Sequence, residues 1–120
     1  MKFINLTRNN IHFYHQDGSI ETFPSNGKVY LMPEHDEPYN LNGYFVVDAS
    51  STVSINGLPA VPESGEIPAL IVSRLAAEAV SSLWPGEGFV PDTSPASVVR
   101  DHSHKIIGVR RWERWSGDDD

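Results

Sequence analysis

Apolar positions in this chain recur mostly at short, alternating steps, the period of half-buried strands. Phe3, Ile4 and Leu6 mark a brief opening strand. Two β-prone runs, residues 11–15 and 19–23, flank Gln16-Asp17-Gly18. Asp-Gly between such runs predicts a hairpin, because glycine accepts the positive φ of a tight turn. Pro24-Ser25-Asn26-Gly27 predicts a turn before a strand at Val29, Tyr30 and Leu31. Residues 33–42 are polar, hold the acidic run Glu34-His35-Asp36-Glu37, and read as an exposed loop. Residues 43–48 and 52–55 read as a strand pair, which Asn56-Gly57, Pro59 and Pro62 end.

One segment changes period. Val72, Leu75, Ala76, Ala79, Val80 and Leu83 repeat at three- and four-residue steps. That spacing predicts a helix over 73–83 with the whole stripe buried against strands. Pro68 would occupy the first turn, where its missing N–H costs nothing, and Pro85-Gly86 would stop the helix. Residues 97–100 and 105–110 predict a second hairpin around Asp101-His102-Ser103-His104. The expected fold is α+β, mainly β with one central helix, as a small antiparallel barrel or strongly curved sheet. Residues 1–115 would form one domain and 116–120 a polar acidic tail.

Composition narrows the class. At 120 residues with 39% hydrophobic and 21% charged positions, the chain suits one globular domain with a modest core. With no cysteine, disulfides and thiolate metal sites are excluded. No apolar run approaches the roughly 20 residues of a membrane span. The opening Met1–Asn5 lacks the apolar stretch of a secretion signal, so a cytoplasmic protein is expected. A net charge of −7 opposes binding to a nucleic-acid polymer, which needs a dominant basic face.

The basic residues are unevenly placed. Arg100, Lys105, Arg110, Arg111 and Arg114 crowd the end of the chain beside Trp112 and Trp115. Arginine forks match phosphate or carboxylate, and an indole offers a stacking face. Arg100, Arg110, Arg111 and Trp112 are therefore the candidate ligand-binding residues, with Asn5 and Thr7 joining them from the opening strand. The plainer reading makes the tryptophans core residues and pairs the arginines with Glu113 and the acidic tail. Likewise, Asn5 and Thr7 could simply fix a bend between strands through side-chain hydrogen bonds to backbone.

Catalytic and metal-ligating patterns are missing. There is no Gly-x-Ser-x-Gly, no phosphate loop and no His-Glu-x-x-His. His12 and His15 fall on opposite faces of a strand, and neither they, His35, nor His102 and His104 have zinc-site spacing. No catalytic residue, metal or cofactor is expected.

Motif order carries a resemblance. The chain has Asn5-Leu6-Thr7, Pro24-Ser25-Asn26-Gly27, Leu58-Pro59-Ala60-Val61-Pro62, Ile71-Val72-Ser73, Pro91-Asp92-Thr93, Val98-Val99-Arg100-Asp101 and Ile106-Ile107-Gly108-Val109-Arg110-Arg111. This series, along nearly the whole chain, resembles a family of small phage and prophage proteins. Its members open with Asn-Leu-Thr-Pro-His and close with Val-Val-Arg-Asp and Ile-Ile-Gly-x-Arg. Here Arg8-Asn9 replaces Pro-His, Leu70 replaces a tyrosine, and His102-Ser103-His104 replaces a turn glycine. The resemblance implies a phage setting and no reaction. The expected role is a non-catalytic accessory binding protein in the host cytoplasm. It would counter host defence by capturing an anionic, nucleotide-like small molecule or by masking a host protein. A virion assembly component and a hydrolytic enzyme with scattered site residues are the alternatives, and a homo-oligomer stays open.

Overall fold

The computed structural model describes residues 2–33, 37–48 and 53–115. In chain order the elements are β1 (Phe3–Asn5), β2 (Ile11–Tyr14), β3 (Ile20–Phe23), β4 (Tyr30–Pro33), β5 (Tyr39–Leu41), β6 (Tyr44–Val46), β7 (Val53–Asn56), β8 (Ala69–Ile71), α1 (Arg74–Ser81), β9 (Gly88–Pro91), β10 (Val98–Arg100), β11 (Ile106–Val109) and β12 (Trp112–Arg114). The protein is thus mainly β with one short helix.

Both predicted hairpins form. β2 pairs antiparallel with β3, from Ile11 opposite Phe23 to Tyr14 opposite Ile20. Gly18 takes φ 90° in the turn, and its N–H donates to His15 O. β10 pairs antiparallel with β11 across residues 101–105, with a bulge between Val99 and Arg100. Asp101 Oδ1 accepts the backbone N–H groups of Ser103 and Lys105, which holds that turn without glycine.

The barrel expectation is corrected. The strands form open sheets, two of them four-stranded, in the orders β1-β8-β9-β12 and β10-β11-β2-β3. The connection β8-α1-β9 is the physical reason. It returns the chain parallel to itself, so α1 lies across one face of the first sheet instead of plugging a closed barrel. β1 and β9 both run parallel to β8, and only β12 is antiparallel to its neighbour. Ala69, Leu70, Ile71 and Val72 are fully buried. A strand covered on both faces reads as a continuous apolar run without alternation, so residues 69–72 hid the strand. Pro68 accordingly precedes β8 rather than opening the helix, and its carbonyl accepts the buried Trp84 indole N–H at 3.0 Å.

The helix is shorter than expected and buries a narrower stripe. Ser73 is its N-cap, with Oγ accepting from Ala76 N, and it ends at Ser81. Val72, Ala76, Val80 and Trp84, one residue per turn, pack with Leu6, Val29, Leu70 and Val90. Leu75 is 85% exposed and Leu83 58% exposed, so the predicted burial of that half of the stripe fails. An eight-residue helix crossing a four-stranded sheet has sheet beneath only one edge.

The opposite face of the first sheet carries aromatic rings. Trp112 of β12 lies 5.0 Å from Phe13 and 5.4 Å from Phe23, which belong to the second sheet. Phe3 of β1 and Phe89 of β9 complete the cluster. The layers therefore run helix, sheet, sheet, with an aliphatic core in the first gap and an aromatic one in the second.

The loop expected over 33–42 is corrected in part. Tyr39–Leu41 is a strand paired with β6 around Asn42-Gly43, both at positive φ (53° and 91°). This is the two-residue turn that Asn-Gly favours. β7 pairs with β4, not β6. One ribbon, β5–β6, is thus nested inside another, β4–β7, and β5 and β6 have no extensive contact with other elements. The radius of gyration is 18.0 Å, against about 14 Å for a compact chain of this length. The acidic residues Glu34 and Asp36, with His35, lie outside the described residues.

Candidate functional site

The basic, aromatic end of the chain is occupied with holding the fold. Arg100 Nη1 donates to His104 O at 2.6 Å, across its own hairpin turn. Arg110 Nη1 donates to Val98 O at 3.1 Å. Arg111 pairs with Asp92 at 3.0 Å and reaches Ser94 Oγ. Arg114 grips Glu87 through two parallel hydrogen bonds of 2.6 and 2.7 Å. Glu113 pairs with Arg74 of the helix. Trp112 is a member of the aromatic cluster, and Trp115 packs against the aliphatic core. Arg100, Arg110, Arg111 and Trp112 line none of the three clefts described among these residues. Each arginine has a local partner of its own.

These pairs set the local electrostatics. The Asp92 carboxyl is held below its ordinary range, first by the Ser94 backbone N–H and then by the Ser94 hydroxyl and Arg111. Glu113 is lowered chiefly by the Arg74 guanidinium, whose own proton affinity the pair raises.

Asn5 and Thr7 meet at a bend. Asn5 is 1% exposed, and its Nδ2 donates to Asn9 O at 3.0 Å and Phe23 O at 2.8 Å. Its Oδ1 accepts the Thr7 backbone N–H at 2.9 Å and hydroxyl at 2.6 Å. Asn5 thereby latches the end of β1 to the end of β3, joining the two sheets. Thr7 stands just past that latch.

Of the sequence-selected site residues, Thr7 lines a cleft among the described residues. This cleft, about 810 Å³, opens where β1, β8 and β9 end, and β11 walls its far side. Parallel strands that end together leave a crevice beyond their carboxyl ends, the usual ligand position in such sheets. The hydroxyl-bearing Thr7, Ser73 and Thr93 each follow one of those strands and line the cleft. Arg74, Lys105 and His12 line it too, as do the amides Asn9 and Asn10. None of the lining residues is Asp or Glu. The Lys105 ammonium has no carboxylate partner among the described residues.

Sequence reasoning missed Ser73, Thr93 and His12 as a set. Ser73 and Thr93 follow strand ends and His12 lies within β2, and only the parallel order of the strands gathers them. His12 Nδ1 also lies 2.9 Å from Thr22 Oγ1, while His15 pairs with Glu21, so the two histidines point apart. No cluster of three metal-ligating side chains occurs among the described residues. No protein-family model, curated protein or solved structure matches this chain.

Proposed function

We propose that this chain is a non-catalytic binding protein that captures an anionic small molecule of nucleotide size in the cleft beyond β1, β8 and β9. One observation carries the reading. In a protein of net charge −7, the cleft is lined by Arg74 and Lys105 and by no carboxylate. Its volume lies in the range that holds small ligands. Ser73 and Thr93 supply hydroxyl donors for phosphate or ribose oxygens, Thr7, whose proton goes to Asn5 Oδ1, offers a hydroxyl lone pair, and Lys105 supplies a charge with no carboxylate partner among the described residues. Glu113 orients Arg74 at the rim. The resemblance to phage proteins gives this capture a purpose: withdrawing a phosphorylated signal from the host's defence in the host cytoplasm.

Calorimetric titration with a panel of linear and cyclic nucleotides and inorganic phosphate tests the reading. A charge-assisted contact contributes about 1.5–3 kcal/mol, so Lys105→Ala should weaken binding roughly ten- to a hundred-fold. Arg100→Ala, whose side chain is bound to its own hairpin, should leave affinity unchanged. Absence of heat with every anion, or equal affinity for wild type and Lys105→Ala, would reject capture at this cleft.

A further inference from the structure

Two apolar surfaces remain uncovered. The first is the nested hairpin β5–β6. Tyr39 stands opposite Val46 and Leu41 opposite Tyr44, so all four share one face. Tyr44 is 73% exposed and Leu41 51%, while Phe45 on the reverse face is 82% exposed. The second surface is the outer edge of α1, where Leu75, Ala79 and Leu83 line a groove with Ile55 of β7.

The hairpin has acidic surroundings, and cations flank the α1 edge on the Leu75 side. Between residues 29 and 73 the sequence holds no Lys or Arg, and it carries Glu34, Asp36, Glu37, Asp48, Glu63 and Glu66. The hairpin is therefore apolar and set within a purely acidic stretch. Leu75 divides the α1 groove from a second one lined by Arg8, Lys28, Tyr30 and Leu31. Arg8 and Lys28 have no carboxylate partner among the described residues. Arg74 at the same edge is paired with Glu113, and Glu78 is the acid within the first groove.

We propose that two copies of this chain exchange hairpins, the Tyr39, Leu41, Tyr44 and Val46 face of each lying on the Leu75, Ala79 and Leu83 edge of the other. Ile55, at the base of the ribbon, lines the groove beside α1. A two-fold axis beside that base would bring each hairpin to the partner's helix, and such an exchange would close as a dimer. Burying the four side chains of that face covers an apolar surface that would otherwise stay in water.

The test is sedimentation equilibrium with Leu41→Asp/Tyr44→Asp, which spoils the hairpin face, and Leu75→Glu/Leu83→Glu, which spoils the helix edge. All four positions are exposed, and far-UV circular dichroism verifies that both variants fold. Wild type should dimerise, and more weakly as salt rises from 0.05 to about 0.5 M, since exposed charges are screened. Each variant alone should be monomeric. Mixed one to one, the two should form a heterodimer through the single intact hairpin–helix contact, at least tenfold weaker than wild type. A wild type that stays monomeric at millimolar concentration overturns the exchange. So does a dimer that depends on the hairpin but not on Leu75 and Leu83, which would show hairpin-to-hairpin pairing. A hairpin that instead binds a foreign protein would leave wild type monomeric and counts against the exchange too.

Discussion

Trp115 lies directly over Gly88: a Cβ at Gly88 would fall 1.6 Å from the indole Cζ2. The Trp115 backbone N–H also donates to Gly88 O at 3.1 Å. The last tryptophan thus closes the end of the β9–β12 pair over a strand position with no side chain. Gly88→Ala should displace the ring and destabilise the fold by about 1–3 kcal/mol, the usual cost of overpacking. Urea unfolding followed by tryptophan fluorescence measures it, with an altered native-state spectrum expected as well. An unchanged spectrum and midpoint would mean that Trp115 does not cover Gly88.

The two leucines near the start of α1 should behave oppositely. Leu70 is fully buried in the central parallel strand, whereas Leu75 is largely in water. Leu70→Ala should cost about 2–5 kcal/mol and Leu75→Ala under about 0.5 kcal/mol, measured as the monomer at low concentration. A large loss from Leu75→Ala would restore the fully buried stripe that the spacing predicts.

Asn5 should prove structural. Removing its side chain leaves the buried Phe23 carbonyl and the partly buried Thr7 N–H unsatisfied, so Asn5→Ala should cost about 1–3 kcal/mol. Asn5→Asp should not rescue stability, because a carboxylate cannot donate to Phe23 O. Equal stability of wild type and Asn5→Ala in a denaturant titration would contradict the latch.

Acid should weaken the fold through the lowered carboxyls. Asp92 and Glu113 both have folded-state pKa values below the unfolded ones. Their stabilisation is present above the ordinary carboxylate range and is lost as pH falls through the folded values. Thermal midpoints should therefore be flat near neutrality and fall below about pH 4. Glu113→Gln should remove part of that fall. A midpoint that rises on acidification would reverse the sign and refute the assignment.

Local turn chemistry was legible in the sequence, and long-range order was not. Asp17-Gly18 and the 101–104 turn specify their hairpins through residues adjacent in the chain. Asn42-Gly43 carried an equally strong signal, but the surrounding acidic residues disguised Tyr39–Leu41 as loop. Parallel pairing has no short-range mark, because β1 meets β8 across more than sixty residues, Phe3 lying opposite Ala69. Helical spacing likewise tells which residues share a face but not how much sheet lies beneath them, so Ala76 and Leu75 looked alike. The same limit governs the site. The cluster of arginines was visible, but the acidic partners of Arg111 and Arg114, Asp92 and Glu87, come from separate segments. The cleft needs three strand ends brought side by side, and of its hydroxyls only Thr7 was singled out in the sequence.

Capture at the strand ends is the central claim, and amide chemical-shift mapping by nuclear magnetic resonance tests it most directly. Titrating labelled protein with the tightest-binding nucleotide should shift Thr7, Ser73, Arg74, Thr93 and Lys105 together, with one saturation constant. Arg100, Arg111 and Trp112 should stay in place. Shifts confined to those three residues, or no saturating shift at the strand ends, would contradict the account.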